Sequence, residues 1–196
     1  VPPRLTGTWP SPVRVGAASG FRTGPVRIAP YAVPMTTQER ADLVALLDRS
    51  RHFLRFTVQN LTRDQATSRP VPSSELSLGG LIKHVSATEQ SWIAFATGVP
   101  APQTDEAGWA DAFRMTDGET LEGLLADYEK VAARTDELVA TIDLDETHPL
   151  PEAPWFEKGA VWSNRFVLIH LISEISQHAG HADILREAVD GQKTMG

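Results

Sequence analysis

The chain has 196 residues, which is enough for one packed domain and few for two. It contains no cysteine, so disulfides, a cysteine nucleophile and any cysteine-ligated metal are excluded, and a metal site would need histidine and carboxylate ligands. The net charge of −7 argues against binding to a phosphate backbone, and no apolar run reaches the roughly 20 residues that span a bilayer. We therefore expect a cytoplasmic protein that binds neither nucleic acid nor membrane.

The first 34 residues differ in composition from the rest of the chain. Residues 1–34 hold seven of the fourteen prolines and four arginines, but no acidic residue. So many prolines exclude an amphipathic targeting helix, and the segment has no apolar core of a secretion signal. We interpret residues 1–34 as a leader from an upstream start, a remnant of cloning or a natural extension, and residues 35–196, from Met35, as the functional domain.

Two long helices are predicted in the first half of this domain. Apolar residues at one-face spacing predict the first over about Thr37–Leu61, and the proline-containing segment 62–75 is interpreted as a linker. Ser77 is a suitable N-cap for the second helix, which should stop at Gly98–Pro100. The longer connection that follows is predicted to contain a short helix at Trp109–Phe113.

Two more helices are predicted in the second half. Thr116 and Glu119 match a capping box that would open the third helix, and its apolar stripe extends to about Ile142. The stretch that follows holds three prolines and is predicted to be loop. The fourth helix should begin after Ser163 and end at Gly191, a typical C′ glycine. Because no alternating strand pattern occurs, the expected fold is all-α, a four-helix bundle with one longer crossover connection.

The fourth predicted helix carries the strongest functional signal. Glu174, His178 and His181 are spaced i, i+4 and i+7, which places them on one helical face. A carboxylate and an imidazole one turn apart can reach the same cation. The surrounding helix is largely apolar, so this face should point into protein, where such groups are costly unless they are paired or bind a metal. His170, one turn earlier, is interpreted as an outer-shell or core-edge residue.

His84 is the candidate that the second helix offers. It lies at the edge of an apolar stripe among small residues, so it could meet a ligand across the bundle, or it could be a core histidine that a hydroxyl or carbonyl satisfies. His52, off the apolar stripe of the first helix, is expected to be a surface or boundary residue, and His148, in the proline-rich loop, is expected to be solvent-exposed. The alternative for Glu174 is an ordinary ion pair with one of three cationic side chains: Lys83, Arg165 or Arg186.

Two segments, Ser77–Val85 and Leu168–Glu187, resemble the DinB/YfiT-like superfamily, and more narrowly an actinobacterial branch of it without an assigned function. The likeness extends over about Thr37–Gly191, and the second segment is the more specific. The resemblance implies a four-helix bundle in which three side chains hold a divalent cation. The usual ligands are a histidine on the second helix and a His-x-x-x-His pair on the last.

On this chain the resemblance assigns His84, Glu174 and His178 as metal ligands. Glutamate replaces the first histidine of the pair, as it does in the related mycothiol-dependent maleylpyruvate isomerase. His181 stands where many relatives have glutamine, and would be a fourth ligand or a wall of the open position. The isomerase has an additional C-terminal domain in its active site with no counterpart in this sequence, so its reaction is not expected here.

Characterised relatives include transferases that use low-molecular-weight thiols such as mycothiol or bacillithiol. The resemblance therefore implies a metal, with zinc expected and nickel or iron as alternatives, that activates such a thiol for transfer to a small electrophile. His181 would shape the open site or exchange protons, and Arg165 would steer an anionic substrate. Two alternatives stay open: a metal-dependent small-molecule hydrolase, and a non-catalytic metal-bearing or ligand-binding stress-response bundle. A homodimer is expected whichever of these functions the protein has.

Overall fold

A computed structural model describes residues 37–99, 111–154 and 156–194. These residues form five helices and two short strands: α1 (Thr37–Phe56), α2 (Arg63–Thr67), α3 (Leu78–Ala96), α4 (Leu121–Thr141), β1 (Thr147–Pro149), β2 (Val161–Ser163) and α5 (Asn164–Asp190). The predicted extension over residues 1–34 lies outside the described residues, as do residues 109 and 110 of the short helix predicted at 109–113; of the rest, Asp111 is helical and residues 112–113 form a turn. Both stay predictions.

The four long helices surround one apolar core. Helix α1 packs mainly on α5, α5 packs on α3, α3 packs on α4, and contacts between α4 and α1 close the ring. The core takes buried side chains from every long helix, among them Leu47, Leu54, Leu81, Ile82, Tyr128, Val139, Leu171 and Ile175. The predicted all-α four-helix bundle is confirmed. None of the helices in the described part of the chain is both long and apolar enough to span a bilayer.

The ends of α3 and α5 follow the predicted capping. The Ser77 hydroxyl accepts a hydrogen bond from the Gly80 N–H at the start of α3, and Ser163 caps α5 in the same way. Gly191 ends α5 in the left-handed region, with a φ of 79°, which glycine adopts without steric cost. These caps fix where α3 and α5, the helices that carry the predicted ligands, begin and end.

The prediction for the end of the first helix was wrong. Helix α1 ends at Phe56 rather than Leu61, and the chain then turns through Asn60, which has a φ of 59°. The predicted linker also contains a short helix, α2, opened by a capping box between Thr62 and Gln65. The apolar spacing continues past the end of α1 because the turn that follows still buries apolar residues such as Val58.

The start of the third long helix also differs from the prediction. Helix α4 begins at Leu121, and its N-cap is Thr120 rather than Thr116. The Glu119 carboxylate does accept a hydrogen bond from the Thr116 N–H at 2.7 Å, but no helix follows directly, so only one half of the predicted capping box forms. The Thr116–Glu119 pair therefore closes a turn in front of the helix.

A small hairpin occupies part of the stretch that was predicted as loop. Strands β1 and β2 are antiparallel, and their pairs are Thr147 with Ser163, His148 with Trp162, and Pro149 with Val161. Three residues per strand are too few for an alternating pattern to be visible in the sequence. His148 is half-buried in this hairpin, and its Nε2 is buried, so the expectation of a solvent-exposed side chain was wrong.

Candidate metal centre

Helices α3 and α5 bring the predicted histidines and glutamate together. The ring of His84 on α3 lies 4.9 Å from the ring of His178 on α5, measured between centroids, with the planes at 76°. Nε2 of His178 is 3.7 Å from a carboxylate oxygen of Glu174, and the His181 ring lies 5.5 Å from the His178 ring. The four side chains therefore form one cluster, which we call the histidine cluster, at the contact between α3 and α5.

Glu174 is not part of an ordinary ion pair. Among the described residues its close contacts are imidazole nitrogens, 3.7 Å away on His178 and 3.8 Å away on His170. The three cations considered as partners pair with other carboxylates: Lys83 with Glu119 at 2.8 Å, Arg186 with Asp190 at 2.9 Å, and Arg165 with Glu39 at 2.7 Å. The ion-pair alternative for Glu174 therefore has no support in the structure.

Burial decides the protonation of two histidines of the cluster, His84 and His178. Desolvation, helped by the neighbouring His178, lowers the pKa of His84 to about 4. Desolvation also lowers the pKa of His178, although the charge of Glu174 opposes the change. Both imidazoles are consequently uncharged near neutral pH, and each keeps a lone pair that can bind a cation.

Two ring nitrogens of the cluster have no partner. Nδ1 of His178 and Nδ1 of His181 are buried and have no hydrogen bond within the described residues. Nε2 of His84 lies 3.4 Å from the Thr88 hydroxyl, a long contact that gives limited support to the alternative of a satisfied core histidine. A buried polar atom without a hydrogen bond costs about 1–3 kcal/mol, so native structures retain such atoms mainly where they have another use.

The donors are near one another but are not assembled around one point. As the side chains stand, the described residues contain no group of three or more histidine, aspartate or glutamate side chains that could hold a metal ion. The nitrogen and oxygen atoms of His178 and Glu174 are 3.7 Å apart, whereas two ligands of tetrahedral zinc with bonds of about 2.0–2.1 Å lie about 3.3 Å apart. Small side-chain rotations change such a spacing.

Nδ1 of His178 and Nδ1 of His181 remain buried without a partner in the described part of the chain. The donor types fit a site with His84, Glu174 and His178 as ligands, and the unpaired Nδ1 of His181 lies beside that site. Metal binding stays a prediction.

Phe113 covers one face of His84, a contact that the sequence did not suggest. The two rings are stacked with centroids 3.9 Å apart and planes at 22°. The backbone of Phe113 lies against Gly80 in the first turn of α3, where an added Cβ would be 1.8 Å from the Phe113 carbonyl oxygen. Glycine at position 80 is therefore required for this approach. The one local signal was the uncommon pair of glycines at a helix start.

Arg165 does not belong to the histidine cluster. It precedes Glu174 by nine residues on α5, about 13 Å along the helix axis. Hydrogen bonds to Glu39 and Asp145 raise the pKa of its guanidinium, which those two carboxylates already balance. The predicted role in steering an anionic substrate is not supported by this position.

Comparisons with known proteins agree with the fold. The model of the family described as mycothiol S-transferase matches residues 42–191, well over half of the chain. A solved structure of a conserved protein from Enterococcus faecalis is similar over 78% of this chain and 97% of its own, with a TM-score of 0.61 and 17% identity, a likeness that shows the fold alone. No curated protein matches the chain. The resemblance to the DinB/YfiT-like superfamily is confirmed, and the chain belongs to the mycothiol S-transferase family.

Proposed function

We propose that this protein is a divalent-metal-dependent transferase that joins a low-molecular-weight thiol of the mycothiol type to a small electrophile. The observation that carries the proposal is the pair of buried nitrogens, Nδ1 of His178 and of His181, that lack a partner in the described part of the chain. They lie beside Glu174, whose close contacts are also imidazoles. The family match, which names the thiol, supports the proposal independently.

His84, Glu174 and His178 are the residues that would hold the cation. Two imidazoles and one carboxylate suit zinc, with nickel or iron(II) as alternatives. Because burial keeps both imidazoles uncharged near neutral pH, neither ring has to lose a proton before one of its nitrogens binds the cation. Glu174 adds one negative charge that partly balances the cation.

When bound, such a cation lowers the pKa of a coordinated thiol, so that the thiolate nucleophile forms near neutral pH. The thiol proton needs an acceptor, and Nδ1 of His181 is buried beside His178 without a competing partner. The thiol sulfur forms a bond to the electrophilic carbon, and the leaving group departs with the electron pair of the bond that breaks. The chain has no cysteine of its own that could compete for the electrophile.

Phe113 has a supporting role in this scheme. Its ring covers one face of His84, which limits rotation of the imidazole and keeps water from that face. A side chain whose rotation is already restricted loses less entropy when it binds a metal ion, so the stack favours metal binding by His84. Gly80 makes the stack possible because it leaves room for the Phe113 backbone.

The second candidate is a non-catalytic bundle that binds a small ligand. It is favoured by the finding that the donors in the described ranges are not already grouped as a metal site. In that case the unpaired nitrogens would hydrogen-bond to the ligand directly. This candidate predicts ligand binding that does not depend on added metal.

A titration of the cobalt(II)-loaded protein with mycothiol tests the proposal. We expect a new sulfur-to-cobalt absorption band, and conjugation of the thiol to monochlorobimane that needs both metal and thiol. Glu174→Ala should abolish both signals, whereas His52→Ala, which removes an exposed histidine of α1, should change neither. Metal-dependent hydrolysis of a small substrate in the absence of thiol would instead indicate a hydrolase. The absence of both the absorption band and turnover would favour the non-catalytic bundle.

A further inference from the structure

Glu174 lies between two imidazoles of its own helix. One carboxylate oxygen, Oε1, is 3.8 Å from Nε2 of His170, and the other, Oε2, is 3.7 Å from Nε2 of His178. Both distances are contacts rather than hydrogen bonds. The carboxylate thus presents one oxygen to the predicted ligand His178 and the other to a histidine that the proposed mechanism does not use.

His170 is held in place by aromatic side chains from two other elements. Its ring lies edge-on to Trp92 of α3 at 4.9 Å and to Trp162 of β2 at 5.0 Å. These two indoles are themselves stacked, 4.9 Å apart with their planes at 17°. Side chains from α3 and β2 therefore restrict the imidazole that faces Glu174. An exposed histidine on a helix surface would have no such restriction.

We propose that His170 is a positioning residue that orients the Glu174 carboxylate toward His178 and His84, and that the Trp92–Trp162 pair fixes His170 for this task. The inference rests on the proposed metal site. A carboxylate that binds a metal through one oxygen is commonly held through the other by a hydrogen bond from a neighbouring group, and loss of that group weakens metal binding about 10–100-fold. A shift of about 1 Å would bring Nε2 of His170 to hydrogen-bonding distance.

Two other roles for His170 fit the geometry less well. As a ligand it would have to reach the cation beside His178, but the two residues are eight positions apart, about 12 Å along the helix, and contact opposite oxygens of Glu174. As a packing residue alone it would have no reason to direct Nε2 at a carboxylate.

The test measures metal affinity rather than activity. Cobalt(II) binding is followed by competition with a chromophoric chelator and by the visible spectrum of the bound ion, in wild type and in three variants of His170. His170→Phe keeps an aromatic ring without a donor, His170→Gln keeps an N–H donor, and His170→Leu is a second donor-free side chain in case the Phe variant does not fold. Trp162→Phe is included to loosen the ring that holds His170, and far-UV circular dichroism identifies the folded variants.

We expect a 10–100-fold loss of cobalt affinity and an altered spectrum in the Phe or Leu variant, recovery to within about threefold in the Gln variant, and an intermediate loss for Trp162→Phe. Wild-type affinity and spectrum in a folded donor-free variant would overturn the positioning role and leave the metal site intact. Equal losses in the Gln and donor-free variants would also overturn it. If wild type itself binds no cobalt, the proposed function fails and the inference fails with it.

Discussion

Helix α3 carries polar groups into the bundle at two places that are only five residues apart, and the two differ in whether those groups are paired. Glu89 is fully buried and bonds to Arg51 of α1 at 2.5 Å. Arg51 also reaches Asp136 of α4 at 2.8 Å, so the buried cation of this arginine cluster is paired with carboxylates from two other helices. His84, the other group on α3, belongs to the histidine cluster, in which two buried nitrogens lack a partner within the described residues.

The two clusters also differ in which electrostatic effect decides their charge. Burial alone would disfavour the charge of Arg51, but hydrogen bonds and charge pairing with Glu89 and Asp136 outweigh it and raise the pKa of the guanidinium. In the histidine cluster burial is the larger effect, and it lowers the pKa of His84 and His178. The paired arginine cluster stays charged and joins helices, whereas the imidazoles of His84 and His178 stay uncharged and keep lone pairs that a ligand can use.

The pairing in the arginine cluster is not complete. The buried Tyr128 hydroxyl of α4 lies near Glu89 but has no hydrogen bond of good geometry within the described residues, and burial, followed by the charge of Glu89, raises the pKa of this hydroxyl. Tyr128 therefore stays protonated. The comparison holds for the ionic groups, which are the ones that bear the charge.

The largest effect is expected when the paired cluster is broken. Arg51→Met would leave Glu89 buried without a counter-charge, so the free energy of unfolding should fall by about 3–5 kcal/mol. The double variant Arg51→Met/Glu89→Leu should recover most of that loss because it removes both charges. Urea unfolding of the three proteins measures this. A cost below about 1 kcal/mol for the single variant would mean that the pair does not join the helices.

A smaller effect is expected where Phe113 approaches α3. Gly80→Ala would place a Cβ 1.8 Å from the Phe113 carbonyl oxygen, so the backbone must move, at a cost of about 1–3 kcal/mol. The stack on His84 should be lost with it, and metal affinity should fall. Gly180→Ala is the matched control, because nothing lies within 4 Å of its added Cβ. The control should gain up to about 1 kcal/mol in helix stability. Equal effects of the two substitutions on metal affinity would contradict the role given to the stack.

The neutral histidines should make the stability of the metal-stripped protein depend on pH. His84 titrates near 6.5 in an unfolded chain and at about 4 in the folded protein. As the pH falls from about 6.5 to about 4, the unfolded state takes up a proton that the folded state excludes, so the free energy of unfolding falls, by at most about 1.4 kcal/mol per pH unit for one such group. Above pH 6.5 this contribution is constant.

The lowered pKa of His178, which faces His84 from α5, acts in the same direction. His84→Gln should flatten the slope, and urea titrations between pH 7 and pH 4 in the presence of a chelator measure it. An unchanged slope in that variant would show that His84 is already accessible to protons in the folded state.

The smallest effect is expected at Arg165. Its two carboxylate partners are partly exposed, so Arg165→Gln should cost no more than about 1 kcal/mol and should leave metal content unchanged. The KM for a negatively charged electrophile should also stay the same, because the residue lies outside the histidine cluster. A several-fold rise in that KM, with an unchanged KM for a neutral electrophile, would restore the predicted steering role.

Local signals in the sequence were sufficient for most of the helices and for the three cluster residues that lie on α5. Capping by Ser77 and Ser163 and the i, i+4 spacing of Glu174 and His178 involve neighbours within one helical turn, so they could be predicted without knowledge of the fold. His84, a candidate from another helix, was assigned as a ligand only by the resemblance. The prediction of where α4 starts was wrong, because a turn can also form one half of a capping box.

Contacts between distant parts of the chain could not be predicted. Arg51 and Glu89 are 38 residues apart, and each alone resembles a surface charge on an amphipathic helix. Phe113 reaches His84 only because Gly80 admits its backbone. The hairpin that brings Trp162 against His170 has strands too short for a periodic signal.

The most direct test of the central claim is the metal content of the purified protein, measured by elemental mass spectrometry after dialysis against zinc, nickel and iron(II). Wild type is compared with His84→Ala, Glu174→Ala and the exposed control His52→Ala. We predict about one divalent cation per chain in wild type and in the control, and loss of it in the other two variants. A wild-type chain without metal, or full occupancy in His84→Ala and Glu174→Ala, would contradict a metal centre shared between α3 and α5.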